Sequence, residues 1–297
     1  MRIGAVLVGL LLGLAPMTSD AADPKLVSWG ELKVRPRPTT PHRIAYGSDP
    51  SQFVDLWLPD GPGPFPTVLM LHGGCWQAKV DTIGLTNYIA DDLRKRGVAV
   101  WNIEYRSIDQ AGGGYPGTFQ DVAAAADALR THAAQYKLRT DKVVATGHSA
   151  GAHLALWLAA RGKIAASSPL AATDPLKLAA VVSIGGLPDL EAVQEAQGLG
   201  CGPDAIPLLI GAAKRTNPYH DTSPAALLPL GIPYWIVDGD KDTIAPVASG
   251  QSFYDKAIAK GDKATMKILD QTGHFDLIAP ETKAWAYIAG VLQDLSK

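Results

Sequence analysis

The hydrophobic pattern changes period along the chain. Residues 53–59, FVDLWLP, alternate apolar and polar positions and stop at proline, which predicts a half-exposed strand. A Gly/Pro cluster, DGPGPFP, follows as a turn. Residues 67–74, TVLMLHGG, are continuously apolar until the histidine, as expected of a central strand covered on both faces. Residues 82–96 read as a helix that ends at Gly97, a residue free to adopt the left-handed cap conformation. VAVWNIEY (98–105) is a second buried strand. A glycine-rich loop, AGGGYPG, then precedes a helix over 118–137. KVVATG is a strand, and a helix follows Ser149. Strands over 178–186, 233–239 and 264–270 and helices over 247–260 and 280–295 complete the pattern.

Strands that alternate with helices predict a mostly parallel sheet with helices on both faces. One interval breaks the rhythm. Between about 187 and 231 no clean strand occurs, and Gly and Pro recur in GLGCGPDAIPLLIG. An irregular interval of this length in an α/β domain reads as a lid or pocket loop, here assigned to 187–230; a surface excursion with a short helix is the plainer reading.

The N-terminal pattern differs from the rest. Arg2 precedes an apolar run, IGAVLVGLLLGLA, too short to span a bilayer comfortably, and small residues follow around Ala21. Residues 1–21 are expected to be an export signal, with 22–297 the folded domain; an uncleaved membrane anchor is the alternative. Export implies a periplasmic or secreted protein with no membrane partner after cleavage.

Composition narrows the partners. The 297 residues are 47% hydrophobic and 19% charged, with a net charge of -2. That is material for a large core, and it lacks the basic surface that nucleic acid would require. Cys75 and Cys201 are the two cysteines. In an exported chain they make one disulfide plausible, with two free buried thiols as the alternative. The histidines and aspartates lack ligand spacing such as HExxH, and two cysteines cannot build a thiolate site, so no metal is expected. No GxGxxG follows the first strand, and AGGGYPG lacks the ending of a phosphate loop, so no nucleotide cofactor is expected.

In an open α/β sheet the reacting groups sit at the carboxyl ends of strands, and four strand ends here carry chemistry. After VVAT comes Gly147-His148-Ser149-Ala150-Gly151, a GxSxG pattern with a strand before it and a helix after it. A hydroxyl on so sharp a corner needs neighbours without bulk. After TVLML comes His72-Gly73-Gly74-Cys75-Trp76, whose backbone N–H groups can face a cleft. Gly74, Cys75 and Ala150 are the expected oxyanion donors, with Gly73 giving the turn its freedom. After PYWIV come Asp238, Asp240 and Asp242. Asp242, just before the helix that Pro246 begins, is the preferred acid, and Asp240 is the fallback. After MKILD comes His274 in a glycine-bearing loop. His148 and His153 read as packing residues, and Glu104 as a structural hydrogen-bonding group. Trp76, Tyr115 and the irregular interval are candidates for the pocket wall.

HGGCW, NIEYR, GHSAGAHLA, DGDKDTIAP and GHFDL, in that order, resemble the α/β-hydrolase superfamily, in particular its esterase branch with an HGG-type oxyanion loop. Within that branch the chain is similar to kynurenine-formamidase-like and feruloyl-esterase-like hydrolases. The resemblance implies the α/β-hydrolase fold, Ser149 as nucleophile, His274 as base, Asp242 as acid, and no cofactor. It implies a small-molecule ester or amide as the substrate. An esterase is the preferred expectation. An arylformamidase or small peptidase using the same triad is the second, and a non-catalytic binding module on the same fold the third. The family's third oxyanion position is Cys75 here, which could tie the loop to Cys201. Nothing in the sequence sets the oligomeric state.

Overall fold

A computed structural model describes residues 25–297. The expected export signal lies outside the described residues. Among these, eight strands form one sheet: β1 (His42–Ala45), β2 (Phe53–Trp57), β3 (Thr67–Leu71), β4 (Ala99–Ile103), β5 (Val144–His148), β6 (Ala180–Ile184), β7 (Tyr234–Gly239) and β8 (Ala264–Leu269). Their spatial order is β1-β2-β4-β3-β5-β6-β7-β8. The first two pairings, β1 with β2 and β2 with β4, are antiparallel, and every later one is parallel. This is the α/β-hydrolase arrangement, a mostly parallel sheet with helices on both faces. The helices are α1 (Trp29–Val34), α2 (Asn87–Lys95), α3 (Gly117–Tyr136), α4 (Ala150–Ala160), α5 (Leu190–Glu195), α6 (Ala205–Ile210), α7 (Val247–Ala259) and α8 (Lys283–Ser296).

The two faces of the sheet bury separate apolar layers. One layer contains Leu69, Trp101, Phe119, Leu154 and Trp157, beneath α3 and α4. The other contains Val68, Val100, Leu93, Trp285 and Ile288, beneath α2 and α8. Alternate residues of β3 and β4 thus serve opposite layers, as the two-residue period of a strand requires. That is why these central strands read as unbroken apolar runs.

Three departures from the expected pattern have physical causes. β2 is not half exposed. Its polar position, Asp55, faces Arg43 across the β1 register and is paired to it at 2.8 Å, so the strand is covered on both sides. β1 is too short to show a period. α1 was also not anticipated, although Ser28 and Glu31 form a capping box at its start. Six residues containing Gly30 are too few for a helical stripe. Tertiary contacts hold α1 instead: the Tyr88 hydroxyl donates to the carbonyls of Leu32 and Arg35. The 187–231 interval contains α5, α6 and short 3-10 turns but no strand.

Candidate functional site

The turn from β5 to α4 explains its own sequence. Ser149 adopts φ 56°, ψ -122°, outside the regions that suit a side chain. A Cβ on Gly147 would stand 2.2 Å from the Gly151 carbonyl oxygen, and one on Gly151 2.2 Å from the Leu71 carbonyl oxygen. Both glycines are therefore required by close backbone approach. The corner is held by Ser149 N–H donating to the Ile184 carbonyl at 2.9 Å. A strained residue of this kind costs on the order of 1–3 kcal/mol and persists only where its surroundings over-determine it.

The β7 and β8 loops bring the acid to the imidazole. His274 donates Nδ1–H to Asp242 Oδ2 at 2.6 Å. The other carboxylate oxygen of Asp242 accepts from the N–H groups of Ile244 and Ala245, each at 2.8 Å. With Oδ1 fixed by the chain, Oδ2 is left for the imidazole, and Nδ1 carries the proton. Nε2 is then the basic nitrogen. Ser149 and His274 line one cavity of about 170 Å³. Neither Ser149 Oγ nor His274 Nε2 hydrogen-bonds to a described residue; such bonds often tighten only with substrate in place.

The other aspartates have different surroundings. Asp240 is a turn residue that accepts from Thr272 N–H at 3.0 Å and pairs with Lys241. Asp238 is buried, and neither of its oxygens has a hydrogen-bond partner of normal geometry among the described residues. Burial first, and the charge of Asp242 second, push it up to about 8; the Gly186 backbone offsets this only in part.

The loop after β3 is built on a buried ion pair. His72 Nδ1 faces the Gly73 carbonyl at 2.7 Å and Nε2 faces Glu104 Oε1 at 2.8 Å. Both partners are acceptors, so the ring carries both protons. Burial pushes its pKa down, but the charge of Glu104, its hydrogen bond and the Gly73 carbonyl outweigh that and hold it above the usual histidine range. Burial likewise raises Glu104, yet His72 and the N–H groups of Ile83 and Tyr105 bring it below the usual carboxylate range. Tyr105 stacks on the His72 ring at 4.3 Å, and its hydroxyl donates to the His72 carbonyl at 2.9 Å. Glu104 thus anchors the loop from its root, consistent with the hydrogen-bonding role read from the sequence.

Above this anchor Gly74, Cys75 and Trp76 have φ of 107°, 54° and 57°. The conformational freedom lies in Gly74, not in Gly73 as expected. Gly73 is needed for clearance: a Cβ there would meet the His148 carbonyl at 2.9 Å and Ser149 Cβ at 3.1 Å. The backbone N–H groups of Gly74, Cys75 and Ala150 have no acceptor among the described residues. Cys75 is disulfide-bonded to Cys201, with a Cα–Cα separation of 5.3 Å.

Two pocket-wall expectations are corrected. Trp76 is fully buried and packs edge-on against His153 instead of lining the cavity. Tyr115 lines a different surface depression, where Arg215 lies over its ring at 3.6 Å and Asp221 accepts from its hydroxyl. Of the irregular interval, Gly200 reaches the cavity. The wall also includes Trp29, Val80, Asp81, Leu85, Ile244 and Phe275, none of which the sequence singled out. The cavity is mostly apolar. His148 donates Nε2–H to the His274 carbonyl at 3.0 Å and supports the His274 loop. Burial and the neighbouring His274 hold it well below the usual histidine range. His153, bonded to the Thr222 carbonyl, is pushed down to about 4 by burial. Gly185, after β6, leaves room for the dyad: a Cβ there would lie 3.3 Å from both Asp242 Oδ2 and His274 Nδ1.

Comparison with known proteins agrees with this architecture. Esterase B of Lactobacillus rhamnosis, solved with an inhibitor, superposes with a TM-score of 0.73 at 22% identity, over 88% of this chain and 89% of that one. A truncated carbohydrate esterase from gut microbiota gives 0.70 at 22% identity, over 88% and 97%. These likenesses establish the fold. Among curated sequences, Esterase LipC of Mycobacterium tuberculosis is 24% identical over 80% of this chain and 60% of its own length. A probable isoprenylcysteine α-carbonyl methylesterase of Arabidopsis thaliana is 32% identical over 38% of this chain and 23% of its own length. The chain spans less than two thirds of either curated relative. The BD-FAE family model matches residues 54–257, from β2 through most of α7 and including Ser149 and Asp242, and the chain belongs to that family.

Proposed function

We propose that the protein is a serine hydrolase that cleaves small carboxylic esters through an acyl-enzyme. One observation carries the reading: the imidazole of a His274–Asp242 pair at 2.6 Å shares a cavity with a serine on a strained strand-to-helix corner. The esterase names of the relatives support it.

His274 Nε2 takes the Ser149 proton as Oγ attacks the ester carbonyl. Asp242 keeps Nδ1 protonated and stabilises the imidazolium that forms. The free N–H groups of Gly74, Cys75 and Ala150 are the donors for the oxyanion, Ala150 from the first turn of α4, where the helix dipole adds to the field. Collapse returns the proton from Nε2 to the leaving alcohol. Water, deprotonated by the same nitrogen, then releases the acid and regenerates Ser149. The chain's own residues supply each proton transfer, so no cofactor is invoked.

Export belongs to the same proposal. The apolar stretch after Arg2 and a cystine in the folded domain both fit an oxidising compartment. No helix of the described residues is long and apolar enough to cross a membrane.

The test is a pre-steady-state burst. With p-nitrophenyl acetate, one equivalent of p-nitrophenol per enzyme is expected before the slower steady state, and none from Ser149→Ala. A panel of aryl esters, N-formyl aromatic amines and aminoacyl amides should rank the esters first. Faster turnover of a formyl amine would replace this reading with an arylformamidase.

A further inference from the structure

The cavity over Ser149 is walled in part by two elements that do not belong to the central sheet. On one side stands Trp29 of α1, whose indole N–H donates to Asp81 at 3.1 Å. On the other stands the 3-10 turn Leu199–Cys201, which presents Gly200 to the cavity. This turn is attached to the site by two links. Gly200 N–H donates to the Ile244 carbonyl at 3.2 Å, and a Cβ on Gly200 would lie 2.6 Å from Ile244 Cγ2, so the two segments touch. The second link is the Cys75–Cys201 bridge.

Each link ends on reacting machinery. Ile244 N–H donates to Asp242 Oδ1. Cys75 is an oxyanion donor held at φ 54°, a conformation that a non-glycine residue keeps only under external constraint. The bridge therefore closes a circuit from the oxyanion loop, through the cavity wall, to the loop of the acid. The two sheet faces already bury large apolar layers, so the fold has a core apart from this bond. The space between these walls, about 170 Å³ and open to solvent on one side, compares with an engineered cavity of about 150 Å³ that accommodates benzene. It suits an acyl group of a few carbons.

We propose that the Cys75–Cys201 bridge determines specificity and positions the oxyanion donor: it holds the 199–201 turn over Ser149 so that short acyl groups are preferred, and it fixes the direction of the Cys75 N–H. This rests on the ester-hydrolase reading above. Opening the bridge lets the turn lift away. Longer acyl chains then enter, and short esters lose a well-aimed donor.

The experiment measures kcat and KM for p-nitrophenyl acetate, butyrate and octanoate with three forms of the full chain. These are the oxidised protein, the same protein opened with a phosphine and verified by a count of two thiols, and Cys201→Ala. Fluorophosphonate labelling sets the concentration of reactive serine in each. Opening the bridge should raise the octanoate-to-acetate ratio of kcat/KM about 10-fold or more. It should lower kcat on acetate roughly 10- to 100-fold. An unchanged ratio with both thiols counted overturns the proposal. So does loss of near-ultraviolet circular dichroism in both opened forms, which would make the bridge a staple of the fold. Absence of fluorophosphonate labelling in the oxidised protein is a different outcome: it removes the hydrolase reading itself, and this inference with it.

Discussion

Replacing Glu104 by glutamine should separate the anchor of the loop after β3 from the oxyanion chemistry proposed for it. The side chain keeps its size, but its accepting capacity is halved. Glu104 accepts from His72 Nε2 at 2.8 Å, Ile83 N–H at 2.9 Å and Tyr105 N–H at 2.9 Å. An amide in its place turns a donor toward one of these donors and leaves the His72 ring without its counter-charge. Both partners are almost fully buried, 1% and 8% exposed at the side chain, so water cannot compensate. Breaking a buried pair from one side costs about 3–5 kcal/mol. With a urea dependence near 3 kcal/mol/M, that moves the unfolding midpoint down by roughly 1–1.7 M.

The loss should depend on pH. The folded-state pKa of His72 is raised above 6.5, so its contribution is complete below 6.5 and fades as pH climbs through the folded value. The folded-state pKa of Glu104 is lowered below 4.5, so its contribution is complete above 4.5 and fades in acid. The gap between wild type and Glu104→Gln should therefore be widest between pH 4.5 and 6.5 and narrow on the alkaline side. Urea unfolding followed by tryptophan fluorescence at pH 5.5, 7 and 9 measures it, with kcat on p-nitrophenyl acetate recorded in parallel. A gap under about 1 kcal/mol, or one that is flat across this range, would refute the ion-pair argument. A large gap with unaltered kcat would show that the pair stabilises the fold without positioning the loop.

Other expectations follow from single contacts. Asp242→Asn should leave the fold intact and lower kcat by about 10⁴-fold, because the wrong imidazole nitrogen then carries the proton; a loss under about 10-fold would remove Asp242 from the triad. Asp238 gains a proton on folding, so wild type should lose stability as pH rises from 3.8 toward 8. Asp238→Asn should cancel that slope, adding up to a few kcal/mol at pH 8 and almost nothing at pH 3.5, as read from paired urea titrations. Gly151→Ala should abolish soluble, active protein because its Cβ meets the Leu71 and His72 carbonyls. Gly290→Ala, in α8 with open space around it, should instead raise stability by about 0.5–1 kcal/mol. Trp29→Ala should raise KM for small aryl esters several-fold with little change in kcat, since it removes a wall and no reacting group.

How much of this was legible in the sequence depended on the range of the contact involved. The elbow at Ser149 is local: a buried strand, two obligatory glycines and a helix all fall within a few residues. Asp242 stands apart from Asp240 through contacts with the N–H groups two and three residues on, a turn pattern legible in principle from DTIAP. The His72–Glu104 anchor joins positions 32 residues apart, and its one trace is a charged residue inside the apolar run NIEY. The pocket wall is poorly legible in the sequence. Trp76 and Tyr115 stand close in sequence to important loops, but one packs against His153 in the core and Arg215 claims the other. Trp29 and Gly200 reach the cavity by tertiary routes, through Asp81 and through the disulfide, and no local pattern announces either.

The central claim is that Ser149 Oγ is the one activated nucleophile. Intact-mass and peptide-mapping analysis after exposure to a p-nitrophenyl alkylphosphonate tests it directly. A single adduct on Ser149 is expected in the wild type, with none in Ser149→Ala and a rate at least about 10³-fold slower in His274→Ala. No adduct on folded protein, an adduct on another residue, or equal rates with and without His274 would contradict it.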